Sequence, residues 1–246
     1  MLMPTTAVLR HRRVRWVLEQ VAIVVLGVFF YFQVRGLTAA TPSVAVEHAH
    51  DVIAFEERLG LDIEGVVQAS VTDSDALSTI ANWIYIWGHW PVIVATMVWL
   101  VSRHRDVFLR LRNAMLVSGG IGLIMFVSYP LAPPRLVDPE LIDTITERSY
   151  AYRVLQPPNF VNQYAAMPSL HAGWDLLVGI SIATAAGSML WRVIGCVLPV
   201  LMAFAVVATA NHYVVDVIAG LMLAMVGYAA AVAFESRRAR RAGPAP

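Results

Sequence analysis

The chain contains no lysine; all 18 of its basic residues are arginine. That bias fits a high-GC coding sequence and points to a bacterial source. Cysteine occurs once, at Cys196, which excludes an intrachain disulfide and a cysteine-based metal site. Cys196 lies in an apolar run and is expected to be a small buried core residue. Charged residues are only 14% of 246, and the net charge is +1. No basic stripe interleaved with aromatics is present, so no nucleic-acid partner is expected. Internal repeats and low-complexity linkers are also missing, and residues 1–246 are expected to form one membrane domain.

What the chain has instead is apolar length. It is 58% hydrophobic with a mean hydropathy of +0.64, too apolar for a soluble domain of this size. A membrane-crossing helix needs about 20 apolar residues. Six stretches meet or approach that length: Trp16–Val34, Leu77–Val101, Asn113–Leu131, Ala172–Leu190, Val193–Asn211 and Tyr213–Phe234. The expected fold is an all-α integral membrane protein, a bundle of six transmembrane helices. The first stretch follows a basic segment and precedes Thr38-Ala39-Ala40, which resembles a cleavage site. Its apolar run exceeds a signal peptide's, so a retained anchor is expected.

Arginine placement orients the bundle. Arg10, Arg12, Arg13 and Arg15 precede the first stretch, and Arg103, Arg105, Arg110 and Arg112 lie between the second and third. Arg192 separates the fourth and fifth, and Arg237, Arg238, Arg240 and Arg241 follow the sixth. These 13 of 18 arginines fall on one side of a six-crossing chain. Both termini are therefore expected in the cytoplasm, the protein in a bacterial plasma membrane. The acid-rich segments near 38–75 and 132–170 then face outward. Within the first, Val44–Val67 spaces Ala45, Ala49, Val52, Leu59, Ile63 and Val66 as an extracytoplasmic amphipathic helix would. His48 and His50, in that segment, read as exposed surface residues. Loop 132–165, with Pro157-Pro158 and Asn159 to Tyr164, is a candidate mouth for a site.

Two polar islands interrupt the oily background. One is Pro168-Ser169-Leu170-His171-Ala172-Gly173-Trp174; the other is Asn211-His212-Tyr213-Val214-Val215-Asp216. Ionisable residues at membrane depth mark functional sites, and these two islands fall at the outer ends of their helices. His212 and Asp216 are spaced i, i+4 and share one helical face. A carboxylate on one imidazole nitrogen fixes the tautomer and makes the other nitrogen a better base or nucleophile. The structural alternative is a polar pair tethering two helices. Pro168 and Ser169 read as a helix start, whose exposed N–H groups and dipole favour an anion such as phosphate. His171 would sit in that first turn, placed to protonate a leaving oxygen. Its alternative is an interfacial histidine beside an ordinary cap.

Together the islands resemble the type-2 phosphatidic acid phosphatase superfamily, six-helix lipid phosphatases and phosphotransferases. The His171 and His212 motifs, preceded by Tyr129-Pro130-Leu131-Ala132-Pro133-Pro134, are closest to its inositol phosphorylceramide synthase branch. The resemblance covers about residues 77–230. It implies that His212 accepts a phosphoryl group as phosphohistidine, that Asp216 orients it, and that His171 is the acid for the departing alcohol. Ser169 and nearby amides would cradle phosphate oxygens, with Tyr129 in the preceding motif. The family needs no metal, no cluster here demands one, and no cofactor is expected. Implied partners are a lipid phosphate or phospholipid substrate, a polyol or sugar acceptor, and the bilayer itself.

The chain departs from the wider superfamily in its phosphate clamp. It has no Lys-x6-Arg-Pro element, and Ala205 and Val206 stand where that pattern has Ser-Arg. Arg135 is the candidate replacement, since guanidinium suits bidentate phosphate binding. In the second stretch, Asn82, Tyr85 and His89 recur at i, i+3, i+7 as one polar stripe. Those three are candidate substrate contacts, or else helix-joining groups. The alternative from another class is a transporter or scaffold with structural or proton-relay histidines. It predicts an internal repeat and polar residues spread through the membrane midplane.

Overall fold

The computed structural model describes residues 5–37, 42–148 and 162–242. The Thr38-Ala39-Ala40 segment and Pro157-Pro158 lie outside the described residues. Within them the chain is helical, with one isolated parallel bridge between Leu131 and Ala165. The helices are α1 (Thr5–Leu37), α2 (Pro42–Leu59), α3 (Glu64–Thr72), α4 (Asp75–Trp87), α5 (Trp90–Arg103), α6 (Arg105–Ser128), α7 (Thr144–Arg148), α8 (Leu170–Ala185), α9 (Met189–Ala208) and α10 (Val214–Ala242).

Four of these, α1, α6, α9 and α10, are long and apolar enough to cross a bilayer. The second expected span is broken: α4 and α5 meet at a bend of 44° around Gly88 and His89. Pro91 supplies the reason, because it has no N–H to give and its ring clashes with the carbonyl four residues back. Counted as one, the pair makes a fifth crossing. The fourth expected span, Ala172–Leu190, is shorter than expected. Helix α8 has 16 residues and stops at Ala185, a length of about 24 Å. It is the most enclosed helix, packed by α6, α9 and α10.

Glycine sets how closely α8 approaches its neighbours. A Cβ at Gly220 would lie 2.1 Å from the Ser169 carbonyl oxygen, and one at Gly173 would lie 2.4 Å from the Gly220 carbonyl oxygen. Small residues at such crossings let backbones touch where lipid supplies no hydrophobic drive. The core runs along the bundle through Phe108, Leu111, Phe126, Trp174 and Leu177, and Trp174 Nε1 donates to Ser118 Oγ at 3.2 Å.

The arginine-rich ends of several helices gather. Arg13 donates to the Ser102 carbonyl, Arg105 lies over the Trp16 ring, and Arg110 forms a two-pronged pair with Glu235. Helix α6 runs from this end to Tyr129, and α10 runs back from the second histidine island. At about 1.5 Å per residue, their 24 and 29 residues separate the two ends by about a bilayer thickness.

Three expectations on single residues and segments change. Cys196 is exposed, because it faces away from the bundle on α9, where lipid rather than protein would cover it. His48 is half-buried, with Nδ1 2.8 Å from the Pro130 carbonyl and its ring stacked on Tyr129 at 4.0 Å; His50 is exposed. Val44–Val67 is not one helix. It breaks at Gly60, whose φ of +68° is open to glycine at little steric cost, and resumes as α3.

Candidate active site

The site forms where α8 and α10 begin. Ser169 caps α8, its Oγ accepting from the Ala172 N–H at 3.5 Å, so the helix starts where the Pro-Ser signature puts it. His171 follows in the first turn. The Ser169 N–H donates to the Asp216 carbonyl at 3.0 Å, which joins the two islands directly.

His212 reaches the site through a tight turn after α9. The Asn211 N–H donates to the Val206 carbonyl and the Ala210 N–H to the Val207 carbonyl, a Schellman closure. Ala210 takes the left-handed position, with φ +52°, where glycine is usual. An L-residue there costs about 1–2 kcal/mol, and surrounding bonds hold it in place. One of them comes from the Arg135 N–H to the Ala210 carbonyl at 3.1 Å.

His171 and His212 bring their rings to a centroid separation of 6.0 Å. His212 Nδ1 is 3.5 Å from Asp216 Oδ2, close enough for an ion pair but outside hydrogen-bond geometry. Asp216 Oδ2 also accepts from the Tyr213 N–H at 3.0 Å. With Nδ1 facing the carboxylate, Nε2 is the nitrogen left for chemistry.

A polar cleft opens over these rings, lined by Tyr85, His89, Arg135, His171, Asn211 and His212 among others. Arg135 is anchored beside the second island: Nη1 donates to Asn211 Oδ1 at 2.6 Å, and Nε donates to Asp143 Oδ2 at 3.2 Å. Asn162 and Gln163 also line the cleft; positions 149–161 of the expected mouth lie outside the described residues.

Other expected contacts fall elsewhere. Asn82 is turned to Thr144, donating to its carbonyl at 2.8 Å and accepting from its hydroxyl at 2.9 Å, so it fastens α4 to α7. Tyr129 stacks on His48 and does not line the cleft. Ser169 is fully buried as the cap of α8. Of the stripe, Tyr85 and His89 line the cleft, whereas Asn82, on the same helix as Tyr85, is taken up by Thr144.

Three carboxyls surround the start of α10. Consecutive amides of Tyr213, Val214 and Val215 donate to Asp216 Oδ2, Glu64 Oε1 (2.8 Å) and Glu56 Oε1 (2.7 Å). Helix N-termini carry unpaired N–H groups and partial positive charge, which favour such acceptors. Both glutamates are buried. Burial, with the neighbouring Glu64 and Asp216 carboxyls, pushes Glu56 up to about 8, against the amide bond from Val215. Burial likewise raises Glu64.

Sequence reasoning singled out neither glutamate. The signal was there: Glu56 continues the Ala45, Ala49, Val52 spacing into a position that ought to be apolar. It also passed over Asp175, an acid in the middle of an apolar helix. Asp175 stands four residues after His171, yet pairs with His89, whose Nδ1 is 3.0 Å from Asp175 Oδ1. Among the described residues no group of three or more metal-ligating side chains could hold a metal ion.

The sequence model described as PAP2 superfamily matches residues 50–230, and the chain belongs to that superfamily. Its members are generally phosphatase-type hydrolases that act on phosphorylated substrates. No curated protein and no solved structure matches.

Proposed function

We propose that the protein is a membrane lipid phosphatase or phosphotransferase working through a phosphohistidine. The observation that carries the reading is the meeting of His171, in the first turn of α8, and His212, in the turn before α10, at 6.0 Å across a cleft that also holds Arg135. His212 Nε2 attacks phosphorus while Asp216 stabilises the charge that develops on the ring. His171 protonates the departing alcohol. Arg135 and the amides at the start of α8 take the phosphate oxygens, in place of the cations absent from this chain.

An apolar cavity of about 430 Å³ between α1, α5 and α6 supports a chain-bearing substrate. It shares Tyr31, Trp90 and Trp174 with the polar cleft. A lipid chain in this cavity would present its phosphate to the histidines. The arginine distribution supports cytoplasmic termini and a site opening on the outer face of a bacterial plasma membrane.

The second step decides the enzyme class. Water attacking phospho-His212 makes a phosphatase; a polyol or sugar hydroxyl makes a phosphotransferase. Incubation of the purified protein with a labelled lipid phosphate, with and without inositol or glycerol, distinguishes them. Phosphate release or transfer of label supports the reading; the absence of both overturns it.

A further inference from the structure

The cleft contains a second histidine–carboxylate pair that the mechanism above does not use. His89 sits at the break between α4 and α5, its Nδ1 3.0 Å from Asp175 Oδ1 on α8, and both side chains are buried. A carboxylate is expensive in such surroundings, and Asp175 Oδ2 has no hydrogen-bond partner among the described residues. Trp90 meets the His89 ring edge-on at 5.4 Å, and Trp174 lies parallel to it at 6.1 Å. The imidazole is thus fixed in plane and position.

What His89 touches in turn is His171, at 4.3 Å between ring centroids. Tyr85 stacks on the same His171 ring at 4.6 Å and 20°. Two rings from the broken span therefore hold the candidate acid. A straight helix through 88–89 would change the direction in which His89 leaves the backbone relative to Tyr85.

We propose that His89 and Asp175 are positioning residues for His171. Asp175 fixes the His89 ring, and His89 with Tyr85 holds His171 in the orientation that protonates the departing oxygen. The inference rests on the reading of His212 as nucleophile and His171 as acid. In that step His212 Nε2 bonds to phosphorus and the bond from phosphorus to the alcohol oxygen breaks. The electron pair leaves on that oxygen, which takes its proton from His171. His89 neither gives nor takes a proton.

The test uses the dependence on the leaving group. Dodecyl phosphate releases an alkoxide that must be protonated, whereas p-nitrophenyl phosphate releases a phenolate that departs without help. Both are assayed with the full-length protein and its Asp175→Asn, His89→Gln, His171→Ala and His212→Ala variants. Asp175→Asn and His89→Gln should lower kcat on dodecyl phosphate by about 10–100-fold, the usual effect of losing an orienting partner, with KM within about twofold. On p-nitrophenyl phosphate the loss should stay under about threefold, and His171→Ala should show the same selectivity. An equal loss on both substrates, or none on either, overturns the proposal. If Asp175→Asn fails to fold, His89→Gln carries the same comparison. His212→Ala separates the two readings. If it is inactive while the Asp175 and His89 variants behave as wild type, only the positioning role fails; if it stays active, the nucleophile reading fails and this proposal with it.

Discussion

Ser169 and Asp216 are hydrogen-bonded backbone to backbone at 3.0 Å, so the cap of the helix carrying one site histidine is tied to the residue that faces the other. Gly220 lies beneath this bond, with no room for a side chain. The distance between His171 and His212 is thereby set by main-chain packing of α8 on α10.

Gly220→Ala tests that dependence. Its Cβ would stand 2.1 Å from the Ser169 carbonyl oxygen, and the helices must separate to admit it. Overpacking of this kind costs about 1–3 kcal/mol. We expect a lowered thermal midpoint in detergent and a loss of turnover larger than the stability change accounts for. Wild-type turnover in a folded Gly220→Ala protein would show that the crossing does not set the site.

Arg135 is predicted to bind the phosphate group. Losing a charge-assisted hydrogen bond costs about 1.5–3 kcal/mol, or roughly 10–100-fold in kcat/KM for Arg135→Ala. Arg135→Lys should recover part of this, since lysine keeps the charge but not the planar fork. Steady-state kinetics on a lipid phosphate checks both, and an unchanged kcat/KM in Arg135→Ala contradicts the assignment.

The carboxyls at the start of α10 make a pH prediction. The ordinary value for Glu56 is 4.5, and the folded protein raises it to about 8. The folded state therefore holds a proton that the unfolded chain has lost between these values. Stability contributed by this group is full below about pH 4.5, declines as pH rises toward about 8, and is level beyond. Glu56→Gln keeps an oxygen to accept from the Val215 N–H but cannot ionise. It should flatten this decline in thermal unfolding measured from pH 5 to 9. Identical profiles for the two proteins contradict the assignment.

Much of this was legible in the sequence, for identifiable reasons. The Pro168-Ser169 helix start is local and reads directly from residue order; the i, i+4 spacing brings His212 near Asp216, but His212 stands in the turn before α10 and not on one helical face with it. The family resemblance is confirmed at the level of the superfamily over residues 50–230. The break at Gly88–His89 was not foreseen, although Pro91 announces it, because apolar length alone cannot distinguish one helix from two. Asp175 spaced i+4 from His171 suggests a local pair, but the long-range partner His89 takes it instead. Glu56 and Glu64 bond to amides about 150 residues away, a relationship no local pattern encodes. Cys196 looked buried because an apolar run does not say which of its faces meets protein and which meets lipid.

The nucleophile assignment is the centre of the account, and trapping the covalent intermediate tests it most directly. Purified protein is incubated briefly with a phosphorus-labelled lipid phosphate, quenched under alkaline conditions that preserve phosphohistidine, and digested for peptide mapping. The account predicts label on the peptide containing His212, lost in His212→Ala and accumulating in proteins whose second step is slowed. Turnover with label on another residue, or undiminished in His212→Ala, would contradict it.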